Sequence, residues 1–410
     1  MRSMTSILLA GSAVALNATV AKADDLSALK VELEALQNRV SQLEAQPKAA
    51  LPSGYSLLTI RDGQADFRYF TPQSRDDTVP EDSGFTISVL PTADVAPVAE
   101  VSISGEIRTA VMYTDFDSGA NADVINRGRL VIMGKAQTAV GEVGGYVRLQ
   151  ANGGGDFSDY SEDAHMNKAY GWWDFAPNWR LLAGFEDTTA TLLYSWDYYA
   201  ATAPTRTFGP SYIYNEQMRV TYSDETFSFA VALEDPDFDQ VDERSDVPSV
   251  IAYATYTSDP FTGQIVGLWQ QDTVGDEDDW SIGGGFKLGI AKNFDLIAAA
   301  VIGEGTSIYS ANLSPITPDE DFWDGSIGIL ANLTEHTRIE LGVGYEDYDV
   351  AGKALGYGGG VYWDPVSQLT VGAGATYIDF NDAFTEDDDT VTPIEDNSLE
   401  IFLGTWLRFK

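Results

Sequence analysis

The sequence of 410 residues contains no cysteine, and basic residues are scarce. The absence of cysteine excludes disulfide frameworks, thiolate zinc sites and cysteine nucleophiles, and it suits a chain that crosses an oxidising periplasm. Only 24 Lys and Arg stand against 63 Asp and Glu, which gives a net charge of −39. Binding to phosphate backbones needs clustered basic side chains, so a nucleic-acid partner is excluded.

Long apolar runs are also missing after residue 23, so no transmembrane helix is expected in the rest of the chain. The first 23 residues instead predict a signal peptide. Arg2 supplies the positive region, residues 7–16 the short apolar region, and Ala21-Lys22-Ala23 the small residues before a cleavage site. The mature chain is therefore expected to begin at Asp24 and to be exported.

Residues 24–46 predict a short coiled coil. Apolar residues recur at alternating spacings of three and four, which is the heptad pattern of a helix packed on other helices. Arg39 and Glu44 fit a pattern associated with parallel three-stranded coils, so we expect a trimer. The alternative is a single amphipathic helix that packs on its own domain. The predicted coil residues are Leu26, Leu29, Leu33, Leu36, Arg39, Val40, Leu43 and Glu44.

Residues 47–97 are predicted to be a linker with a small β-element. Residues 55–61 and 85–90 have the composition of short strands, separated by polar, turn-rich sequence. A plug folded into the lumen of the following domain is the alternative, and the sequence leaves the two open.

From about residue 98 to residue 410 the chain repeats segments of roughly ten residues with alternating hydrophobicity. Sixteen such segments predict an all-β fold, a 16-stranded antiparallel transmembrane β-barrel, because lipid accepts a sheet only when its edges are closed. A soluble sandwich, propeller or solenoid is the alternative. The predicted strands are 101–114, 127–139, 141–151, 167–176, 178–187, 213–223, 226–234, 249–258, 261–271, 280–290, 294–304, 322–333, 336–347, 354–364, 367–379 and 398–409.

The connections are predicted to alternate strictly between short turns and long, mostly acidic loops. Outer-membrane barrels place the long loops outside, so both termini and the coil are expected in the periplasm. Aromatic residues beside the short turns, as at Trp172 and Trp173, predict a girdle at the lipid–water boundary. His165 and His336 fall on opposite sides of this barrel, so neither a two-histidine metal site nor an enzyme activity is expected.

Strand parity points six arginines of the early segments inward, where neighbouring strands stack them into one basic wall. The third long loop, 188–211, is aromatic, and folded inward it would bring Asp197 toward that wall. The alternatives are charges that only pair and hydrate the lumen, and an aromatic loop at a subunit contact. The predicted pore-lining residues are Arg108, Arg127, Arg129, Arg148, Arg180, Arg219, Glu106, Asp187, Asp197 and Arg206.

With these features, residues 98–410 resemble the trimeric general porins of the outer membrane, most closely the alphaproteobacterial type. The strand count, the third long loop, the early arginines and the closing strand Leu399–Phe409 carry the resemblance. It implies passive diffusion of small hydrophilic solutes and ions through three pores, in contact with outer-membrane lipid and lipopolysaccharide. It also implies that the barrel-assembly machinery reads Leu407 and Phe409, although Lys410 follows them here.

Two other functions stay open. A substrate-specific channel for a sugar or other nutrient would use Tyr170, Trp172 and the aromatic loop for stacking, and a trimeric structural or adhesive protein would also use a coil. No cofactor is expected, although acidic loops such as 235–239 suit loose Ca²⁺ or Mg²⁺ binding. These loops also predict a mild cation preference that fades as salt rises. The coil is a candidate contact for peptidoglycan.

Overall fold

The computed structural model describes residues 56–65, 83–91, 97–116, 119–153, 164–193, 202–203, 210, 214–236, 245–272, 278–305, 309, 312–313, 316–317, 319–387, 390–394 and 397–409. The chain divides into two compact units, Met1–Ser56 and Leu57–Lys410, and the strands that the structure describes belong to the second. The predicted signal peptide and coiled coil lie outside the described residues and stay predictions. Among the described residues, no helix is long and apolar enough to cross a membrane.

Sixteen strands form a closed antiparallel barrel, which confirms the predicted fold class. Each strand from β3 to β16 pairs with the strand that follows it. Strand β17 pairs with β20, and β20 closes the barrel on β3. Two hairpins, β1–β2 and β18–β19, are additional to the sixteen. The strands are β1 Leu57–Asp62, β2 Phe85–Leu90, β3 Ala99–Phe116, β4 Gly119–Thr138, β5 Gly141–Gly153, β6 His165–Ala176, β7 Trp179–Asp187, β8 Tyr214–Ser223, β9 Phe227–Glu234, β10 Ser249–Ser258, β11 Phe261–Gln270, β12 Asp279–Ala291, β13 Phe294–Glu304, β14 Asp321–Thr334, β15 Thr337–Tyr348, β16 Gly352–Val366, β17 Leu369–Asn381, β18 Phe384–Asp387, β19 Thr390–Pro393 and β20 Ser398–Phe409.

Side-chain alternation explains why these segments form a barrel. In the closing strand β20, Leu403 is 57% exposed and Leu407 48%, whereas the residue that precedes each of them, Phe402 and Trp406, is buried. Successive side chains of a strand point to opposite faces, so one set of residues covers the outside and the other fills the inside. The outer set is apolar along most strands, which suits contact with hydrocarbon, and the inner set contains most of the charge.

The predicted strict alternation of short and long connections is wrong at two places. The β3–β4 connection consists of residues 117–118 and the β15–β16 connection of residues 349–351, so both are short. Strand β4 begins at Gly119 rather than at residue 127, because Asn121 and Asp123 continue the ladder opposite Thr114 and Met112. The residues from Gly119 to Asp123 are small or polar, so backbone hydrogen bonds extend the sheet beyond the part in which the apolar alternation is strong.

The segment 47–97 contains the hairpin β1–β2, at the positions where two short strands are predicted. Strand β2 also pairs with β3, from Phe85 opposite Ile103 to Val89 opposite Ala99. Residues 66–82 and 92–96 lie outside the described residues. The choice between linker and plug therefore stays open.

Candidate functional site

A wall of basic side chains lines the inside of β3–β8. All six predicted arginines face inward and are buried, none more than 7% exposed. They lie on strands that are neighbours in the barrel, so the register stacks them across the sheet. The buried charged residues described on β3–β8 are seven basic ones, Arg108, Arg127, Arg129, Arg148, Lys168, Arg180 and Arg219, and three acidic ones, Glu106, Glu186 and Asp187.

One carboxylate is shared by three guanidinium groups on this wall. Oε1 of Glu106 lies 3.3 Å from Nε of Arg108, 3.4 Å from a terminal nitrogen of Arg127 and 3.7 Å from one of Arg129. A single negative charge cannot balance three positive ones, so the cluster keeps a net positive charge. Gln150 also accepts a hydrogen bond from Nε of Arg129 at 2.7 Å, which fixes the direction of that side chain.

The basic wall continues across the seam where the barrel closes. The guanidinium carbon of Arg108 lies 3.9 Å from the ring centre of Trp406, and that of Arg408 lies 3.8 Å from the same ring. The electron-rich face of an indole attracts cations, so the ring holds two like charges near one another. Trp406 was not among the predicted site residues. Its inward parity on the closing strand, shared with Arg408, is the signal that identifies it.

Lys168 is a second residue absent from the prediction. Its Nζ lies 2.7 Å from a carboxylate oxygen of Glu186 and 2.7 Å from one of Asp187. This pairing places the predicted Asp187 on the inner wall, at the end of β7. Next to it, Arg148 donates to the side chain of Asn167 at 2.5 Å and to the hydroxyl of Tyr214 at 2.8 Å.

An aromatic strip accompanies the basic wall on β5 and β6. The rings of Tyr146 and Tyr170 are stacked with centres 5.0 Å apart, and Tyr170 and Trp172 lie 6.3 Å apart. The guanidinium of Arg180 lies 5.2 Å from the ring of Trp172 and donates two hydrogen bonds to the carboxylate of Asp174, at 2.6 and 2.8 Å. The strip thus combines flat apolar faces with fixed polar groups.

The third long loop, which spans 188–213 in the structure, begins against the inner wall. Glu234 accepts hydrogen bonds from the hydroxyl of Thr188 at 2.6 Å and from the backbone N–H of Thr189 at 2.7 Å. Arg219 donates to the hydroxyl of Thr189 at 3.3 Å. The backbone N–H of Leu193 donates to Gln264 of β11 at 2.6 Å. These bonds hold the start of the loop across β8–β11.

The same loop touches a second part of the wall. Thr202 lies so close to the inner faces of β17 and β20 that only glycine fits there, at Gly372 and Gly404. Ala203 packs with Ala110 and Phe402 in a buried cluster. The loop therefore contacts the inside of the barrel at two separate places. The predicted Asp197 and Arg206 lie outside the described residues, so their place at the site stays a prediction.

Carboxylates predominate on the wall that faces the basic one, where the half-buried Arg338 is paired with Glu340 and Asp364. Every buried charged side chain that the structure describes on β9–β15 is acidic, namely Glu234, Asp279, Asp324, Glu340 and Glu346. The sequence reasoning sought the counter-charge on the third loop, whereas the barrel itself provides it. Parity identifies Glu340 and Glu346 as inward, but only closure of the sheet sets them opposite the arginines.

One of these carboxylates holds a second loop inside the barrel. Glu346 accepts hydrogen bonds from the backbone N–H groups of Asn312 and Leu313 at 3.0 and 3.1 Å, and from the side-chain amide of Asn312 at 2.7 Å. Tyr309 and Leu313 of this loop are buried in a cluster with residues of β10–β15. Burial raises the pKa of the Tyr309 hydroxyl above its ordinary value, so the side chain stays neutral.

The interior therefore carries opposite charges on two facing walls. Such an arrangement produces a field across the barrel axis, which orients water and dipolar solutes. His165 begins β6 and His336 lies in the β14–β15 turn, so the two histidines stand at opposite ends of the barrel and do not share a site. Within the described part of the chain, no group of three His, Asp or Glu side chains is placed to hold a metal ion.

Comparison with solved structures agrees with this geometry. The anion-selective porin from Comamonas acidovorans superposes with a TM-score of 0.59 at 15% identity, over 76% of this chain and all of that one. Porins are thus among the neighbours in shape. A triple mutant of Rhodopseudomonas blastica porin gives 0.52 at 17% identity, over 75% of this chain and all of that one.

A loop-deletion mutant of OmpT, an outer membrane protein of Vibrio cholerae, gives 0.55 at 14% identity, over 76% of this chain and all of that one. No protein-family model matches the chain, and no curated protein matches its sequence. At these identities the likeness concerns the fold, which is the porin barrel.

Proposed function

We propose that this chain is an outer-membrane porin that forms a water-filled channel for passive diffusion of small hydrophilic solutes and ions. The observation that carries the proposal is the inside of a closed 16-stranded barrel with a basic wall on β3–β8 facing carboxylates on β9–β15. Charged side chains inside a lipid-enclosed barrel need ion-pair partners, hydrogen bonds or water, whereas the apolar outer residues need hydrocarbon. A channel satisfies both requirements.

Passage through such a channel depends on the solute's polarity. Water between the two walls is oriented by their field, and an apolar solute would have to displace it without replacing its hydrogen bonds. Small polar solutes can replace them. The carboxylates of the acidic loops and the acidic wall together outnumber the basic residues of the basic wall. This excess supports a mild cation preference, which fades as salt screens the charges.

Planar-bilayer recording tests this function. The purified chain should give steady conductance steps and a small cation-favouring reversal potential at low salt. Replacing Arg108, Arg148 and Arg180 together by glutamine should raise the cation preference, because three positive charges leave the inner wall. The matched control replaces three solvent-accessible lysines on β12, in the β12–β13 turn and on β16, and it should leave the reversal potential unchanged: Lys287, Lys292 and Lys353.

Two outcomes would contradict the proposal. Vesicles that stay impermeant to ions would exclude a channel altogether. An equal shift in the triple arginine variant and in its control would show that the basic wall does not line the conducting path.

A substrate-specific channel is the second candidate, and the aromatic strip favours it. Tyr146, Tyr170 and Trp172 are inward aromatic rings of the kind on which a sugar ring stacks, with Arg180 and Asp174 as polar partners. All three rings are buried, so a sugar would have to displace the groups that cover them. A specific channel should show sugar-dependent block that Trp172→Ala removes. A general porin should conduct equally with and without the sugar.

For location and partners, we extend the proposal to a homotrimer in the outer membrane of a Gram-negative bacterium, with the coil in the periplasm. A gap in the outer aromatic girdle supports a protein contact: β4 has no aromatic residue, and the one aromatic of β5, Tyr146, faces inward. Leu407 and Phe409, outward on the last strand, fit recognition by the assembly machinery. Contacts with lipopolysaccharide, with peptidoglycan through the coil and with loose Ca²⁺ or Mg²⁺ on the acidic loops belong to the same proposal, as does the absence of catalysis.

A further inference from the structure

The hairpin β1–β2 extends the barrel wall beyond the end of the closing strand. Strand β20 pairs with β3 as far as Phe409 opposite Gly105, and β2 takes over the same edge of β3 from Ile103 to Ala99. The N–H of Gly84 donates to the carbonyl of Phe409 at 2.9 Å, which joins the two strands end to end. The hairpin is thus a fixed continuation of the sheet.

Side-chain bonds hold the hairpin in this position. The N–H of Ala65 donates to the hydroxyl of Ser102 at 2.6 Å, and the hydroxyl of Thr86 donates to the carbonyl of Gly63 at 2.8 Å. Ser88 donates to Glu100 at 2.9 Å. Polar residues of the hairpin therefore face the barrel interior, and its apolar residues are left for the outer face.

This outer face is apolar and uncovered. Leu58 is 67% exposed and Ile60 69%, and they lie across the hairpin from Val89 and Ile87. Few large apolar side chains of the described chain are as exposed. On the lipid-facing wall, Ile265 of β11 has a similar exposure, 66%.

The backbone edge of β1, unlike the apolar face of the hairpin, needs hydrogen-bonding partners. Strand β1 pairs with β2 on one side, and among the described strands nothing pairs with its other side. The free edge presents unpaired backbone N–H and C=O groups, which need water or a hydrogen-bonding partner. Hydrocarbon would suit Leu58 and Ile60 but would leave the backbone groups of the edge without hydrogen-bond partners. Water would satisfy the edge but leave the apolar face exposed.

We propose that this outer edge and apolar face contact a neighbouring copy of the same chain. A protein surface satisfies both requirements, because it offers apolar side chains together with hydrogen-bonding groups. Two features favour a second copy: the aromatic girdle is absent from β4 and β5, close to the hairpin, and the predicted trimeric coil precedes β1 in the sequence, with residues 47–56 between them. In a threefold assembly the edge meets a different surface of its neighbour. The inference rests on the homotrimer proposed above.

Site-specific photo-crosslinking in intact outer membranes tests the contact. The chain has no cysteine, so Leu58→Cys, Ile60→Cys and Ile265→Cys each carry one photoactivatable label at a known place. We expect an adduct of two chains from Leu58→Cys or Ile60→Cys. Ile265→Cys, equally exposed on the lipid-facing wall, is the matched control and should give lipid adducts without the two-chain product.

Lipid adducts alone at both hairpin positions would overturn the proposal, as would adducts to another protein or an equal yield of the two-chain product from the control. Conductance of the same labelled preparations keeps the tests separate. Conducting channels without the two-chain adduct would refute the proposed contact but not the porin function. The two-chain adduct without conducting channels would refute the porin function but not the contact.

Discussion

Replacing Gly404 by alanine should displace the third long loop from the inner wall. A Cβ atom built on Gly404 would overlap the carbonyl oxygen of Thr202 and lie 2.9 Å from its carbonyl carbon. The obstacle is backbone, so no rotamer change in Thr202 removes it. At the neighbouring Gly372 a Cβ would lie 2.6 Å from the hydroxyl of the same threonine. The two glycines together form the seat of this part of the loop.

The magnitude follows from the cost of overpacking. An added methyl group in a filled interior costs about 1–3 kcal/mol when neighbours must shift. If the loop relieves the overlap by leaving its seat, the ratio of docked to undocked loop falls about 5- to 140-fold. An undocked loop changes the width of the channel, so the effect should appear as new conductance levels or as increased open-channel noise.

Single-channel recording of Gly404→Ala measures this effect. The matched control is Gly128→Ala on β4, where a Cβ would meet no atom within 4 Å. Heat-modified electrophoretic mobility checks that both variants form the barrel, so that a folding defect is not mistaken for a loop effect. We expect altered conductance in Gly404→Ala and wild-type conductance in the control.

Conductance and noise in Gly404→Ala that match both the wild type and the control would refute the reasoning. Thr202 would then not rest on Gly404 in the conducting protein, and the loop would not depend on this seat.

Three further substitutions test the charged interior. Glu106→Gln removes the carboxylate that three guanidiniums share, so the barrel should melt at lower temperature and conduct anions better. Loss of a buried ion-pair partner costs about 3–5 kcal/mol. Trp406→Leu should free Arg108 and Arg408 from the ring, at about 0.5–2 kcal/mol for each cation, whereas Trp406→Phe should keep most of the stability. Glu346→Gln should loosen the second inward loop by about 1.5–3 kcal/mol, the value of a charged hydrogen bond, and raise its susceptibility to proteolysis.

Each of these variants has its own decisive readout. Unchanged reversal potential in Glu106→Gln would mean that its cluster does not face the conducting path. Equal melting temperatures for Trp406→Leu and Trp406→Phe would show that the ring acts through its volume and not through its attraction for cations. Protection from protease that survives in Glu346→Gln would assign the anchoring of that loop to its apolar contacts.

The sequence by itself determined the strands and the face on which each side chain lies. The alternation in β20, with Leu403 and Leu407 outward and Arg408 inward, is a local property that neighbouring residues set. The inward arginines follow from the same rule. The end of a strand is harder to predict, as at Gly119 in β4, because small and polar residues weaken the apolar alternation where the sheet leaves the lipid-facing band.

Only the tertiary structure decided which inward groups meet. Strand register and the closure of β20 on β3 decide three such contacts: Glu106 pairs with three arginines, Trp406 lies between two cations, and Glu346 holds a loop. These contacts join residues far apart in the chain, so the hydrophobic periodicity of the sequence does not predict them. The same holds for the contact of Thr202 with Gly404. From the sequence, a glycine in a strand predicts only a weakened strand, and the structure shows that Gly404 makes room for the backbone of Thr202.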